Sequence, residues 1–268
     1  MTTSYVPIDN GQLAIAALLI VINVVLSIAL QLRLEKQLWI GAVRMTVQLL
    51  LIGYILKWIF TLQSPWLVLA VTLVMTTLAG QSAIARTKRR YQGIFWNCFI
   101  SIFASSALMI GVIVVGVVRV EPWYNPQYVI PMLGMILGNA LTGASLALDR
   151  LTEDLIVRRD QIESLLALGA TRWEAAQQTI QEALRTGMIP TINQMMVMGT
   201  VSLPGMMTGQ IIAGADPTDA VRYQIVLIFA IAAGTGLATI GIVLLGFRSL
   251  FSVQHQLRLD RLQLREKA

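Results

Sequence analysis

The chain has 268 residues, of which 56% are hydrophobic and only 13% charged, with a formal net charge of +6. A mean hydropathy of +0.70 excludes an ordinary soluble domain. The apolar residues come in runs of about 20, the length that crosses ~30 Å of hydrocarbon as a helix. The basic surplus does not point to nucleic acid, because Lys and Arg are divided among several loops, as they are in the cytoplasmic loops of membrane proteins.

The pattern predicts an all-α, polytopic membrane protein forming one transmembrane domain over residues 1–268, with seven spans. In chain order these are Gly11 to Leu32, Leu38 to Phe60, Pro65 to Ala85, Ile94 to Val118, Tyr128 to Leu148, Ile189 to Ala213 and Tyr223 to Phe247. The opening MTTSYVPIDN carries no basic residue before the apolar run, so no cleavable signal pattern is expected. The single cysteine, Cys98, falls inside a span, which rules out an intramolecular disulfide or a cysteine metal cluster.

Orientation follows from the basic residues between spans. Arg33 and Lys36, then Arg86, Lys88, Arg89 and Arg90, then Arg150, Arg158, Arg159, Arg172 and Arg185 alternate to one side. The tail adds Arg248, Arg258, Arg261, Arg265 and Lys267, against Lys57, Arg119 and Arg222 on the other side. Basic residues collect on the cytoplasmic side, so the N-terminus is expected outside, the C-terminus in the cytoplasm, and the protein in the cell membrane. Arg44 lies inside the second span, close enough to its start to snorkel to the cytoplasmic interface; facing a translocation path is the alternative. Trp39, Trp58, Trp66 and Trp123, near span ends, read as interfacial anchors.

Beyond Arg44 the spans hold almost no ionisable side chains, and no Asp, Glu or His is expected at mid-membrane depth. That argues against a proton-coupled carrier and against a membrane enzyme. Neither HExxH nor GxSxG is present, and GxxxxGK[ST] is absent too, so this chain does not hydrolyse ATP unaided.

The fifth span carries Gly134 and Gly138 four residues apart, a spacing that lets helices approach closely. Asn139, Thr142 and Ser145 trace a polar stripe ending at Asp149, which either bonds to neighbouring helices or lines a path for a polar solute. The sixth span carries Gln194, Met198, Thr200, Ser202 and Gln210 around Pro204-Gly205, where a kink or a broken helix is expected. Gly209, four residues after Gly205, again allows close packing. This span is the expected moving, path-lining helix. Met132, Met135, Met195, Met196, Met206 and Met207 cluster in the same two spans; thioethers suit copper(I), but without Cys or His beside them packing is the better reading and no metal site is expected.

One charged passage, Asp149 to Pro190, interrupts the apolar spans. Within it IESLLALGATRWEAA reads as a short helix, a Gly-containing turn and a second helix. Glu163 and Gly169, six residues apart in the LLALGATRWEAA context, resemble the coupling loop of ABC-transporter permeases. Leu166, Ala170, Thr171 and Trp173 belong to the same loop. In that reading the 149–188 segment presents a short helix to a partner ATPase. The match is partial: Glu163-Ser164-Leu165 stands where that loop has Glu-Ala-Ala, and Met188-Ile189-Pro190 comes late.

A longer resemblance covers nearly the whole chain. LGNALTGASLALDRL (137–151), IESLLALGAT (162–171) and IPTINQMMVMGTVSLPGMMTGQIIAGADPTDAVRYQI (189–225) are similar to the FetB/YbbM-type family of compact ABC permeases. The resemblance implies a permease that pairs with a separate FetA-type ATP-binding subunit, with ATP and Mg bound by that partner and no cofactor in this chain. It also implies ATP-driven export of a metal, iron foremost; since seven spans make half a transporter, a homodimer in the bilayer is expected. Plant relatives associated with aluminium tolerance and nucleotide-sugar transport keep a nucleotide sugar or a metal chelate open as cargo. From the residues alone, a stand-alone channel or scaffold whose charged helices bind a non-ATPase partner is the other reading.

Overall fold

The computed structural model describes residues 9–264. Arg265 and Lys267, counted in the basic tail, lie outside the described residues, as does most of the opening MTTSYVPIDN. Among the described residues the chain forms nine α-helices, six of them long and apolar enough to cross a membrane. The protein is a multi-pass, all-α membrane protein.

Helix α1 (Asn10–Ala29) begins with a capping box in which Asp9 and Gln12 satisfy each other's backbone N–H. Helices α2 (Glu35–Leu62) and α3 (Pro65–Ala85) follow, the latter opened by a proline in its first turn. Helix α4 (Ile94–Gly111) passes into a π-helical stretch over Val112–Val117. Helix α5 (Pro126–Val157) runs nine residues beyond the expected end at Leu148. Leu148, Leu151, Thr152 and Leu155 keep one face of it buried, so the amphipathic pattern carries the helix past the point where charged residues begin.

The passage from Asp149, expected to hold a short helix, a turn and a second helix, does so and is helical almost throughout. Helix α6 (Arg159–Ala167) comes first, then a turn, then α7 (Arg172–Val197). Pro190, read as a span boundary, sits inside α7 without ending it; it removes the N–H that the Thr186 carbonyl would accept. The sixth expected span is not one helix but two pieces. Helix α7 stops at Val197, the chain turns through Met198 to Pro204, and α8 (Gly205–Ile212) starts afresh. Helix α9 (Pro217–Leu250) closes the bundle. A two-residue antiparallel pairing of Arg89–Arg90 with Gln263–Leu264 fastens the tail to the α3–α4 loop.

Helix α5 is the axis of the bundle, packed against α3, α4, α7 and α9. Its small residues Ala140, Gly143, Ala144 and Ala147, spaced i, i+3, i+4 and i+7, are buried together. In contrast α1 and α2 touch chiefly each other and leave most of their apolar side chains uncovered. Trp39, Trp58, Trp66 and Trp123 are all exposed, as interfacial aromatics are.

At the charged end, Asp154 is 4% exposed and meets Arg150 Nε at 2.9 Å. Replacing Arg150 by alanine leaves that buried carboxylate without its donor, at a cost of roughly 1–3 kcal/mol. The expected result is a lower melting temperature of the detergent-solubilised protein, with Arg150→Lys retaining most of it.

Candidate functional site

The Glu163–Gly169 step forms a well-defined turn at the charged end of the bundle. Helix α6 ends in a Schellman motif: Gly169 N–H donates to the Leu166 carbonyl (3.1 Å) and Ala170 N–H to the Leu165 carbonyl (3.0 Å). Gly169 has φ +92°, the left-handed conformation that favours glycine. Two residues later Thr171 caps α7 in a capping box. Its Oγ1 accepts from the Glu174 N–H, and its own N–H donates to Glu174 Oε2 at 2.8 Å. Both ends of the turn are therefore fixed by local hydrogen bonds, and the apex cannot reorient freely.

The Thr171 backbone N–H holds the Glu174 carboxyl below the usual carboxylate range. A depressed folded value means that the cap is complete above the ordinary Glu pKa and is lost as pH falls through the lowered value. Amide exchange at Thr171 is expected to stay slow, relative to its intrinsic rate, from neutral pH down to about 4.3 and to accelerate only below it; Glu174→Ala removes the protection at every pH.

The other expected coupling residues take distinct places. Glu163 pairs with Arg159 at 2.8 Å along the exposed face of α6. Leu166 packs against the chain's own core, so it supports the turn from below. Sequence reasoning passed over the side chain that projects most: Leu168, at the apex, is 85% exposed. Beside it, α6 and α7 enclose a groove of about 210 Å³ lined by Arg158, Gln161, Leu165, Glu174 and Gln178.

Trp173 does not project freely, because its ring meets Phe247 of α9 edge-on at 5.7 Å. Arg172 beside it ties three things together. Its backbone N–H donates to His255 Nδ1 (2.9 Å), its guanidinium donates to the Ser252 carbonyl (3.1 Å), and the same group sits 5.8 Å from the Phe247 ring centroid. The start of α7 is thus latched to the end of α9 and to the tail. Arg172→Ala is expected to remove roughly 1 kcal/mol and to lower the melting temperature by about 2–4 °C, measured by tryptophan fluorescence.

Farther along α7 comes a three-helix crossing that sequence reasoning missed. A methyl group placed on Gly187 would lie 2.7 Å from the Gly143 carbonyl oxygen, 2.7 Å from Thr239 Cγ2 and 2.9 Å from Ala147 Cβ. One placed on Gly143 would lie 2.6 Å from Thr235 Cγ2 and 2.9 Å from the Gly187 carbonyl oxygen. Helices α5, α7 and α9 meet backbone to backbone here. The signal on α5 was its small-residue face; Gly187 lay in the charged helix–turn–helix passage, outside the spans where close packing was expected. The glycines expected to serve this purpose do not do so within one chain. A methyl on Gly138, Gly205 or Gly209 meets open space, and one on Gly134 touches only Met75 Cε at 3.4 Å.

The polar stripe of α5 is largely satisfied by its own helix. Asn139 donates to the Met135 carbonyl, Thr142 to that of Gly138 and Ser145 to that of Thr142. Thr142 also accepts from Arg86, and Asp149 accepts from the Lys88 backbone N–H at 2.9 Å. Asp149 therefore ties the α3–α4 loop to α5. Around the break, Gly199 takes φ +84° and its N–H donates to the Ser202 carbonyl, while Thr200 bonds back to Val197. Gly199, rather than Gly205, absorbs the reversal; Pro204 is the residue that caps α8. Met135, Met198 and Met206 pack on one apolar cluster with Met132, Ile136 and Leu227. Gln194, Thr200 and Ser202 are exposed, and Gln210 is half-buried with an unpartnered Oε1.

The sequence model of the uncharacterised protein family UPF0014 matches residues 10–251. A UPF0014 membrane protein of Synechocystis is 42% identical over 219 residues, covering 82% of this chain and 84% of its own. The UPF0014 membrane protein YjkA of Bacillus subtilis is 36% identical over 250 residues, 93% and 98% of the two chains. The probable iron export permease protein FetB of Escherichia coli is 34% identical over 256 residues, 96% and 97% of the two chains. No solved structure matches the chain significantly.

Proposed function

The chain belongs to the UPF0014 family, and from that membership we propose that it is the membrane-spanning permease of an ATP-driven transporter. It works as a homodimer with two copies of a separate ATP-binding subunit that holds ATP and Mg. The charged end of the bundle faces the cytoplasm, and the N-terminus lies outside. The cargo is a metal, with iron the first candidate, since one relative over nearly the full length is named a probable iron export permease.

The observation that carries this reading is the turn at Leu165–Thr171. A Schellman motif and a capping box hold it rigid, and it lifts an 85% exposed leucine away from the bundle. Such caps are common at helix ends; what marks this turn is an exposed apolar side chain held at the charged end, a shape suited to a cleft on a partner. Helix α7 continues from this turn for 26 residues, about 39 Å at 1.5 Å per residue. Closure of the ATP-binding subunits displaces the turn, and α7 carries the displacement past the crossing at Gly187 to the break after Val197. There the helix is interrupted, so α8 and the path-lining groups Thr200, Ser202 and Gln210, with Gln194 at the end of α7, shift relative to α5, whose Asn139, Thr142 and Asp149 border the same path. Gly138 and Gly209, open within one chain, are left for contact between the two copies.

Purification from native membranes tests the proposal. The expected complex contains a subunit with a GxxxxGK[ST] loop and hydrolyses ATP faster in the presence of cargo. Gly169→Arg puts a side chain at φ +92°, where non-glycine residues are strained by about 1–2 kcal/mol, and is expected to abolish the cargo response. Recovery without any nucleotide-binding subunit supports the channel or scaffold reading instead.

A further inference from the structure

Helix α2 is the least covered span: from Glu35 to Leu62 only Ile59 is buried. The positions of α2 that are not fully exposed are Glu35, Leu38, Ala42, Leu56, Ile59 and Phe60. At about 100° per residue, Gln37, Arg44 and Gln48 lie within roughly 40° of one another and about 200–240° round from Ala42. They form a polar stripe, and all three are exposed; at their level the covered positions Glu35, Leu38 and Ala42 lie on the other side of the helix, whereas Ile59, about three turns beyond Gln48, falls within about 20–60° of the stripe. None of the three has a hydrogen bond or an ion pair among the described residues, whereas Thr46 on the same helix bonds back to Ala42.

Depth makes this arrangement consequential. Trp39 and Trp58, both exposed, stand about 28 Å apart along α2 and bracket the hydrocarbon layer. Arg44 then lies about 8 Å inside the Trp39 level and Gln48 about 14 Å inside, near the midplane. A guanidinium and two amides facing acyl chains there are unfavourable. A snorkelling Arg44 relieves only its own charge and leaves Gln48 bare. The stripe is satisfied if it borders a hydrated path.

Resting on the transporter reading, we propose that α2 lines the cargo path and that Arg44, supported by Gln48, selects an anionic cargo bearing carboxylate or phosphate oxygens. In a two-copy assembly two Arg44 side chains border one path. They repel each other and any bare metal cation, while an anion held between them neutralises both. Guanidinium groups match planar carboxylates and phosphates with paired N–H donors. The only carboxylate of α2, Glu35, is already engaged by the Ser27 hydroxyl. On this account iron leaves as an anionic chelate and not as a free ion.

The test uses the complete complex reconstituted in vesicles, with ferric citrate as the anionic probe and ferrous ion kept reduced by ascorbate as the cationic one. Ferric citrate is expected to be transported and to stimulate ATP hydrolysis. Arg44→Gln is expected to weaken that response at least tenfold, and Arg44→Lys to restore part of it. In an Arg44→Cys, Cys98→Ser variant, a water-soluble anionic thiosulfonate is expected to modify position 44, with ferric citrate slowing the reaction. Unchanged ferric citrate transport in Arg44→Gln overturns the inference. So does an unreactive thiol at position 44, which would mean that the side chain faces lipid and Arg44 reaches a headgroup phosphate. Neither result touches the permease reading, which fails separately if no ATP-binding subunit is present in the purified complex.

Discussion

Gly187→Leu is expected to abolish assembly of the helix bundle, and Gly187→Ala to destabilise it by about 3 kcal/mol, the upper part of the range for overpacked cores. The reason lies in what surrounds that position. Two of the three nearest atoms to an added methyl are a backbone oxygen of α5 and the Thr239 methyl, both at 2.7 Å. A flexible side-chain end could move aside; a helix backbone can do so only by separating α5 from α7. The same geometry predicts a partial rescue, because Thr239→Ser removes one of the clashing groups. Gly138→Ala makes the contrast, since its added methyl meets open space and replacing glycine inside a helix typically gains about 0.5–1 kcal/mol. Thermal melting in detergent reads all four variants. If Gly138→Ala also weakens association between two copies in a cross-linking assay, the open face of α5 is where they meet.

Leu168→Asp is expected to leave the melting temperature within the scatter of surface substitutions, ~0.5 kcal/mol, and yet to weaken binding of the ATP-binding subunit severely. At 85% exposure the side chain does almost nothing for its own fold. Burying it in a partner cleft is worth about 1.5–3 kcal/mol, which is roughly 10- to 150-fold in affinity at 1.4 kcal/mol per tenfold, and a buried aspartate adds to the loss. Binding of the isolated ATP-binding subunit to the permease in nanodiscs measures this. Equal affinity of Leu168→Asp and the unaltered protein would move the docking site away from the turn. Leu166→Asp is the informative companion: its side chain packs on the core, so that change should unfold the turn as well as release the partner.

The extent to which these features can be read from the sequence follows the range of the forces involved. Helix α3 and the α4–π segment end within a residue of their expected limits because strong hydropathy, a Pro start and basic flanks coincide there. The Glu163–Gly169 turn is legible for the same reason, since a Schellman motif and a capping box are made by residues three to five apart. Helix α7 was not legible as one element. Its first half is charged, its second half is apolar, and Pro190 stands near the junction, so each local signal argued for a boundary. Tertiary packing of Ala175, Ala176, Thr179, Ile180, Ala183 and Gly187 overrides them. The glycines show the limit most clearly. Gly134, Gly138 and Gly209 satisfied a spacing rule, but spacing says nothing about what stands opposite. Gly143 and Gly187 matter because Thr235 and Thr239, from a helix much later in the chain, come to meet them.

The latch at Arg172 has a practical consequence. Because that residue's amide holds His255 while its guanidinium holds Ser252, the carboxy-terminal segment is geared to the start of α7, next to the turn. Pairing of Gln263–Leu264 with Arg89–Arg90 passes the linkage on to the α3–α4 loop. A fluorophore fixed at Val253, 79% exposed and between the two latch contacts, becomes an indicator needle for the transport cycle. It should change its signal each time nucleotide is bound and released, with no label on any residue that touches cargo or partner.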